Sequence, residues 1–459
     1  MMPLIRRLPA LAVGVAFASI CAGAALAQDE SVSIVRDTEI EAILHQEADP
    51  IFIAAGLDPK KVEIHIVGDK EINAFSAAGL NIYVNTGLIL KTDTPDQLEG
   101  VIAHETGHVA GGHVARSGAA TKAALGPMLA SIGLGILAAA AGSPEGAAAL
   151  VFSSTYFGEL GVLGYSREQE SRADEAGATY LEKAGYSGRG IVGFLDNYRY
   201  QEVFDDERKF PYFRDHPLSD DRIEALRVRV EKEPHYNAVD SAEAIAAHKL
   251  IKAKIEAFMM GPYATLIDYP DSDTSFAARY ARAIALYKEN ETDQAVKAID
   301  ALIAEQPSDP YLWELKGQVL FEAGRAKEAV PAHRKSVDLK PDAPLLRINL
   351  GQALLALNDP KQVVEAVDQV KQALSVEPDN SLGWRLLAEA YDSQGLGGMA
   401  RLATAEQNFY LGQQKDARVF ALRARDLLKK DSPEWRRATD IILSSNPTPD
   451  DLKTMAHQG

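Results

Sequence analysis

Pro307 and Pro341 stand 34 residues apart, and the residues between them recur in an order that leaves the C-terminal half of this 459-residue chain few ways to fold. A period of that length is one helix–turn–helix unit, which cannot bury its apolar face alone and so stacks on its neighbours. Trp313, Gly317, Gly324 and Ala329 occupy the aromatic and small positions that let paired helices approach closely. The next interval, Pro341 to Pro378, is 37 residues, the same unit with three residues added near Asn358-Asp359-Pro360. Trp384, Ala388, Tyr391, Gly395 and Ala400 mark a further copy, and weaker ones surround Ala283, Ala295, Ala405, Gly412 and Ala417.

The period is that of tetratricopeptide repeats. An α-helical solenoid is therefore expected over residues 275–445, with a tail at 446–459 and a curved face suited to peptide or protein. Residues 231–274 read as a polar, proline-bearing linker containing one amphipathic helix near 241–260. The first half is different: Asp37 to Ala55 reads as a helix, and Val62 to Val67 and Leu80 to Asn85 as strands. The fold class expected is mainly α with a small β-sheet, an α+β domain followed by the solenoid.

Chemistry enters at His104-Glu105-Thr106-Gly107-His108. On a helix the two histidines lie one turn apart on one face, so both reach a single ion, and Glu105 projects beside it as a base for water. Thr94-Pro95-Asp96-Gln97 supplies a helix start, a capping Thr followed by Pro and a Gln placed to close a capping box. Leu98, Val101, Ile102 and Val109 bury that helix, where two histidines and a glutamate need a partner. The partner expected is zinc, which wants a third protein ligand and an open position. His113 comes nine residues after His104, about half a turn out of phase on a continuing helix, and is read as structural. Glu170 and Asp174 are the better candidates: they are again i and i+4, so one ligates while the other orients a histidine. Their spacing is equally that of an exposed helix laced by Arg167, Glu168, Arg172 and Glu175.

The combination of HETGHVAGGH, SREQESRAD, NAFSAAGLNIYVNTGLI and DHPLSDDRI resembles the HtpX-like and CAAX-prenyl-protease-like zinc metallopeptidases of the gluzincin type. With its leader and helical repeats, the chain is most similar to the BepA-like periplasmic branch of that family. The resemblance implies a zinc endopeptidase domain over 28–230, ligands His104, His108 and Glu170, Glu105 as base and Asp174 supporting the site. It also implies misfolded or stalled outer-membrane proteins as substrates and contact with the outer-membrane assembly machinery through the repeats. A chaperone or scaffold with a latent zinc site is the alternative.

Arg6 and Arg7 precede an uncharged stretch ending in Ala25-Leu26-Ala27, the pattern of a secretory signal cut after residue 27. The periplasm is the compartment expected. Cleavage removes Cys21, the sole cysteine, and takes the net charge from −17 to −19. So acidic a chain lacks the footprint of a nucleic-acid binder. Residues 120–164 are rich in Ala, Gly and Leu and are expected to cover the cleft or to touch a membrane surface. His216, held extended before Pro217, has three readings: it stabilises the oxyanion, latches the fourth zinc position, or is a loop residue. Tyr165 rivals it as electrophile.

Overall fold

The computed structural model describes residues 34–77, 79–113, 167–199, 216 and 219–457. The leader expected at 1–27, the apolar stretch at 120–164 and Tyr165 lie outside them. Among the described residues no helix is long and apolar enough to cross a membrane.

Helix α1 (Thr38–Ala54) starts where the Asp37 carboxylate accepts the Glu39 and Ile40 N–H groups at 3.0 Å. A four-stranded sheet follows, from β1 (Ile34–Val35), β2 (Glu63–Val67), β3 (Ala74–Ala77) and β4 (Asn81–Asn85). Its order is β1-β2-β4-β3, with β2 and β4 parallel and both edges antiparallel. Alternation sends Ile64, Ile66, Ile82 and Val84 into the core and leaves His65, Tyr83 and Phe75 stacked across the outer face at 4.6 and 4.8 Å. The edge strand β3 is an addition to the sequence reading: Ala-Phe-Ser-Ala has too little alternation to declare itself, and pairing with β4 creates it.

Helix α2 (Thr86–Lys91) leads to α3 (Pro95–Ala110), which carries the histidine motif. The expected capping box forms in altered shape. Gln97 Oε1 accepts the Asp93 N–H at 2.8 Å, one residue before the cap, while the Thr94 hydroxyl donates to Asp96. The helix stops at Gly111, and Gly112 turns the chain with φ +63°, a conformation that favours glycine. Helices α4 (residues 167–184), α5 (Arg189–Arg199) and α6 (Asp220–Val230) complete this half, with Ile191, Phe194, Ile223 and Leu226 in the same core.

Helix α7 (Ala242–Met259) is the helix expected near 241–260 within the polar segment 231–274. Ile251 and Ile255 belong to the core of the first half, whereas Ala253 and Ala257 belong to the core that opens the repeats. The segment joins two cores because its apolar residues lie on two faces rather than one. A short helix α8 (Pro262–Asp268) follows.

The repeats are five antiparallel pairs: α9 and α10 (Phe276–Lys288, Thr292–Glu305), α11 and α12 (Pro310–Glu322, Ala326–Leu339), α13 and α14 (Pro344–Leu355, Pro360–Val376), α15 and α16 (Ser381–Ser393, Gly397–Tyr410), and α17 and α18 (Gln414–Arg425, Pro433–Ser444). The marker prolines are equivalent in space. Trp313 Nε1, Arg347 Nε and Trp384 Nε1 donate to the carbonyls of Pro307, Pro341 and Pro378, each six residues back. Positive φ recurs at Asn290, Gly324, Asn358 and Gly395, after the first helix of each of the first four pairs. The three additional residues do not enlarge the turn at 358–360. They lengthen α14 to 17 residues, against 14 in α10 and α12. The expected tail at 446–459 instead contains helix α19 (Pro449–His457), tied back by Arg418–Asp451 at 3.0 Å and by Arg425 donating to the Met455 carbonyl.

Candidate metal centre

Helix α3 presents His104 and His108 to the first turns of α4, and the approach is close. A Cβ on Gly107 would stand 2.7 Å from the Ala173 carbonyl, so only glycine lets α4 lie this near. Helix α4 divides its charges between opposite faces. Glu168 and Arg172 pair in solvent at 2.5 Å, while Glu170 and Asp174 are buried against the histidines.

Four side chains converge: His104, His108, Glu170 and His216 each place a ligand atom within 4.8 Å of the others. His104 Nε2 lies 3.1 Å from His108 Nε2, 3.2 Å from His216 Nδ1 and 3.3 Å from Glu170 Oε2. Glu170 also stands 3.1 Å from His108 Nε2 and 3.2 Å from His216 Nδ1. A tetrahedron with zinc–ligand bonds of 2.0–2.1 Å has edges of about 3.3 Å, which these separations approach. A shared proton joins two such nitrogens, whereas one metal ion satisfies all four ligand atoms at once.

The far nitrogens are also engaged. His104 Nδ1 lies 2.9 Å from Asp174 Oδ1, the contact that fixes the tautomer leaving Nε2 free to ligate. His113 does not point away as the helical phase predicts. Because α3 ends at Gly111, the chain turns and brings His113 Nδ1 to 3.1 Å from His108 Nδ1. Arg222, the arginine of DHPLSDDRI, donates to Asp174 at 2.5 and 3.0 Å and pairs with Glu170 at 3.1 Å. The spacing of DHPLSDDRI offered no signal for this, since the contact spans 48 residues from α4 to α6.

Burial and pairing set the electrostatics. Burial alone would raise Glu170 and Asp174, yet hydrogen bonds from the histidines and Arg222 hold Asp174 at about 2 and Glu170 far below the usual carboxylate range. Burial would lower His104, but Asp174 and Glu170 push it up to about 10, whereas burial takes His108 down to about 4. Burial raises Glu105, with His216 and His104 opposing. Neither Glu105 oxygen accepts a hydrogen bond, the nearest group being His216 Nε2 at 3.4 Å. With the histidines neutral, as zinc ligands must be, three buried carboxylates against one guanidinium leave an excess of two negative charges when Glu105 is ionised, which a dication balances. The donor set, its spacing, the charge excess and the orphaned Glu105 oxygens all fit zinc.

Residues 36–230 match the description Peptidase family M48, and residues 280–401 match the cytochrome c-type biogenesis protein H TPR domain. Among curated proteins, the chain is similar to a beta-barrel assembly-enhancing protease of Yersinia pestis, 26% identical over 349 residues, covering 74% of this chain and 70% of that one. It is likewise 26% identical to the Escherichia coli K12 protein of that name, covering 71% of this chain and 66% of that one. Metalloprotease LoiP of Escherichia coli K12 is 31% identical over 168 residues, 35% of this chain and 60% of that one. The chain thus spans about two thirds of the length of the curated relatives it matches most broadly. It carries a zinc metallopeptidase domain of family M48 followed by a tetratricopeptide domain.

Proposed function

We propose that this chain is a periplasmic zinc endopeptidase acting on misfolded or stalled envelope and outer-membrane proteins, with its repeats docking substrate or a partner in barrel assembly. The observation that carries the reading is the near-tetrahedral spacing of His104, His108, Glu170 and His216 around one point. The names of the broadest relatives support the substrate class. The basic, apolar and small-residue pattern ending at Ala27 supports export. The peptidase unit is taken as 28–230 and the repeat unit as 275–445.

His104, His108 and Glu170 would hold the ion, and His216 would fill the fourth position in a closed resting site. When bound, zinc acidifies a water and polarises a peptide carbonyl. Glu105 accepts the proton of the attacking water and passes it to the leaving amine, a transfer favoured by its buried and raised carboxyl. Asp174 holds the His104 ring, and Arg222 holds Asp174. His216 Nε2 also reaches the Ala74 carbonyl of edge strand β3 at 3.3 Å, so release of His216 frees both the fourth position and a main-chain acceptor beside it. An extended substrate paired to that edge would set its scissile bond near Glu105.

The test is Glu105→Gln, assayed with the purified chain on unfolded casein. Zinc content equal to wild type with cleavage lost supports the reading. If the variant cleaves normally, or restores every cellular function of a deletion strain, the scaffold alternative takes its place.

A further inference from the structure

A second acidic centre lies on another side of α3. Glu99 precedes His104 by five residues, about 140° round the helix axis, so it faces away from the zinc ligands. There α1, α3, the turn at 185–187 and residues 238–247 enclose a cavity of about 320 Å³, lined by Glu47, Glu99, Tyr186 and Asp240 among others. Glu47 is 4% exposed and Glu99 3%. Neither oxygen of Glu47 has a hydrogen-bond partner, nor has Oε2 of Glu99, although buried carboxylates are ordinarily satisfied.

The charges acting on these two groups are all negative. Asp240 acts on Glu47, and Glu47, Asp240 and Asp96 act on Glu99. The nearby cation Arg189 acts on Asp240, while its guanidinium donates to the Ala238 carbonyl and lies over the Tyr236 ring. Burial first, and then these neighbours, push Glu47 up to about 8 and Glu99 up to about 9. Buried carboxyl oxygens without partners are costly when ionised, and a cation beside them offsets that cost.

We propose that Glu47, Glu99 and Asp240 hold a hydrated divalent cation of the magnesium class in this cavity, tying α1 and α3 to the 238–241 turn. A bare ion does not suit the site. Among the described residues, the group that brings three or more ligand atoms within 4.8 Å is the one built on His104, and it excludes these carboxylates. A hydrated ion does suit it. Six waters at about 30 Å³ each fill roughly 180 Å³, which the cavity accommodates. Magnesium keeps several waters and binds through one or two carboxylates.

The experiment is calorimetric titration of the zinc-loaded full chain with magnesium chloride at constant ionic strength, with choline chloride as control. Saturable one-site binding is expected, weakened roughly tenfold or more in Glu47→Gln and in Glu99→Gln with zinc content unchanged. The absence of saturable heat overturns the proposal, as does wild-type affinity in both variants. Should the variants fail to fold, manganese added to the wild-type chain replaces them. Paramagnetic broadening of the Ile43, Ala244 and Ala247 methyl signals supports the site, and broadening confined to other acidic residues overturns it.

Discussion

Asp174 stands between His104 and Arg222, one oxygen 2.9 Å from the imidazole and the other 2.5 Å from the guanidinium. The carboxylate therefore acts through His104, fixing which nitrogen faces the ion. Replacing Asp174 with Ala should weaken zinc binding by about 10- to 100-fold. Competition against a chromogenic chelator measures this, and an unaltered affinity would show that His104 needs no support.

His216 is buried against Glu170, His104 and Glu105. If it latches the fourth position, His216→Ala should raise casein cleavage several-fold at unchanged zinc content. A rate equal to or below wild type would leave the oxyanion or structural reading instead.

The buried ion pair of Lys254 joins the two cores. Its Nζ lies 2.7 Å from Asp37 and 2.9 Å from Glu39, and Tyr280 of the first repeat donates to Glu39 at 2.8 Å. Lys254→Met should destabilise the chain by about 3–5 kcal/mol, because it leaves buried Glu39 without its countercharge. Urea denaturation reads the loss, and Lys254→Met combined with Glu39→Gln should recover part of it.

His333 sits 2% exposed against Gly317, and burial lowers it to about 4. Its folded pKa lies below the unfolded value of about 6.5, so its contribution is intact above pH 6.5 and is lost as pH falls toward 4. Between pH 7 and 5 the wild type should lose about 2 kcal/mol relative to His333→Gln. Parallel urea titrations at the two pH values decide it; equal losses in both proteins would mean that His333 does not titrate in this range.

Much of this architecture was legible in local spacing. The 34-residue interval between Pro307 and Pro341 marks equivalent positions because each proline's carbonyl accepts the same kind of bond. The i and i+4 pairs His104 with His108 and Glu170 with Asp174 likewise declare a shared face. What spacing could not supply were relations set by tertiary approach. Arg222 meets Asp174 only because α6 packs beside α4, and His113 returns to His108 only because α3 breaks at Gly111. The strand at 74–77 and the double duty of α7 escaped for the same reason: each is defined by what it packs against, not by its own pattern.

Helix α7 behaves as a rib rather than a hinge. A chain cut after residue 230 loses Ile251 and Ile255 from the peptidase core, and a chain started at 275 loses Ala253 and Ala257 from the first repeat. Neither half can be exchanged like a cassette, and heat should melt the two as one event. The repeats are therefore held at a set distance from the histidines.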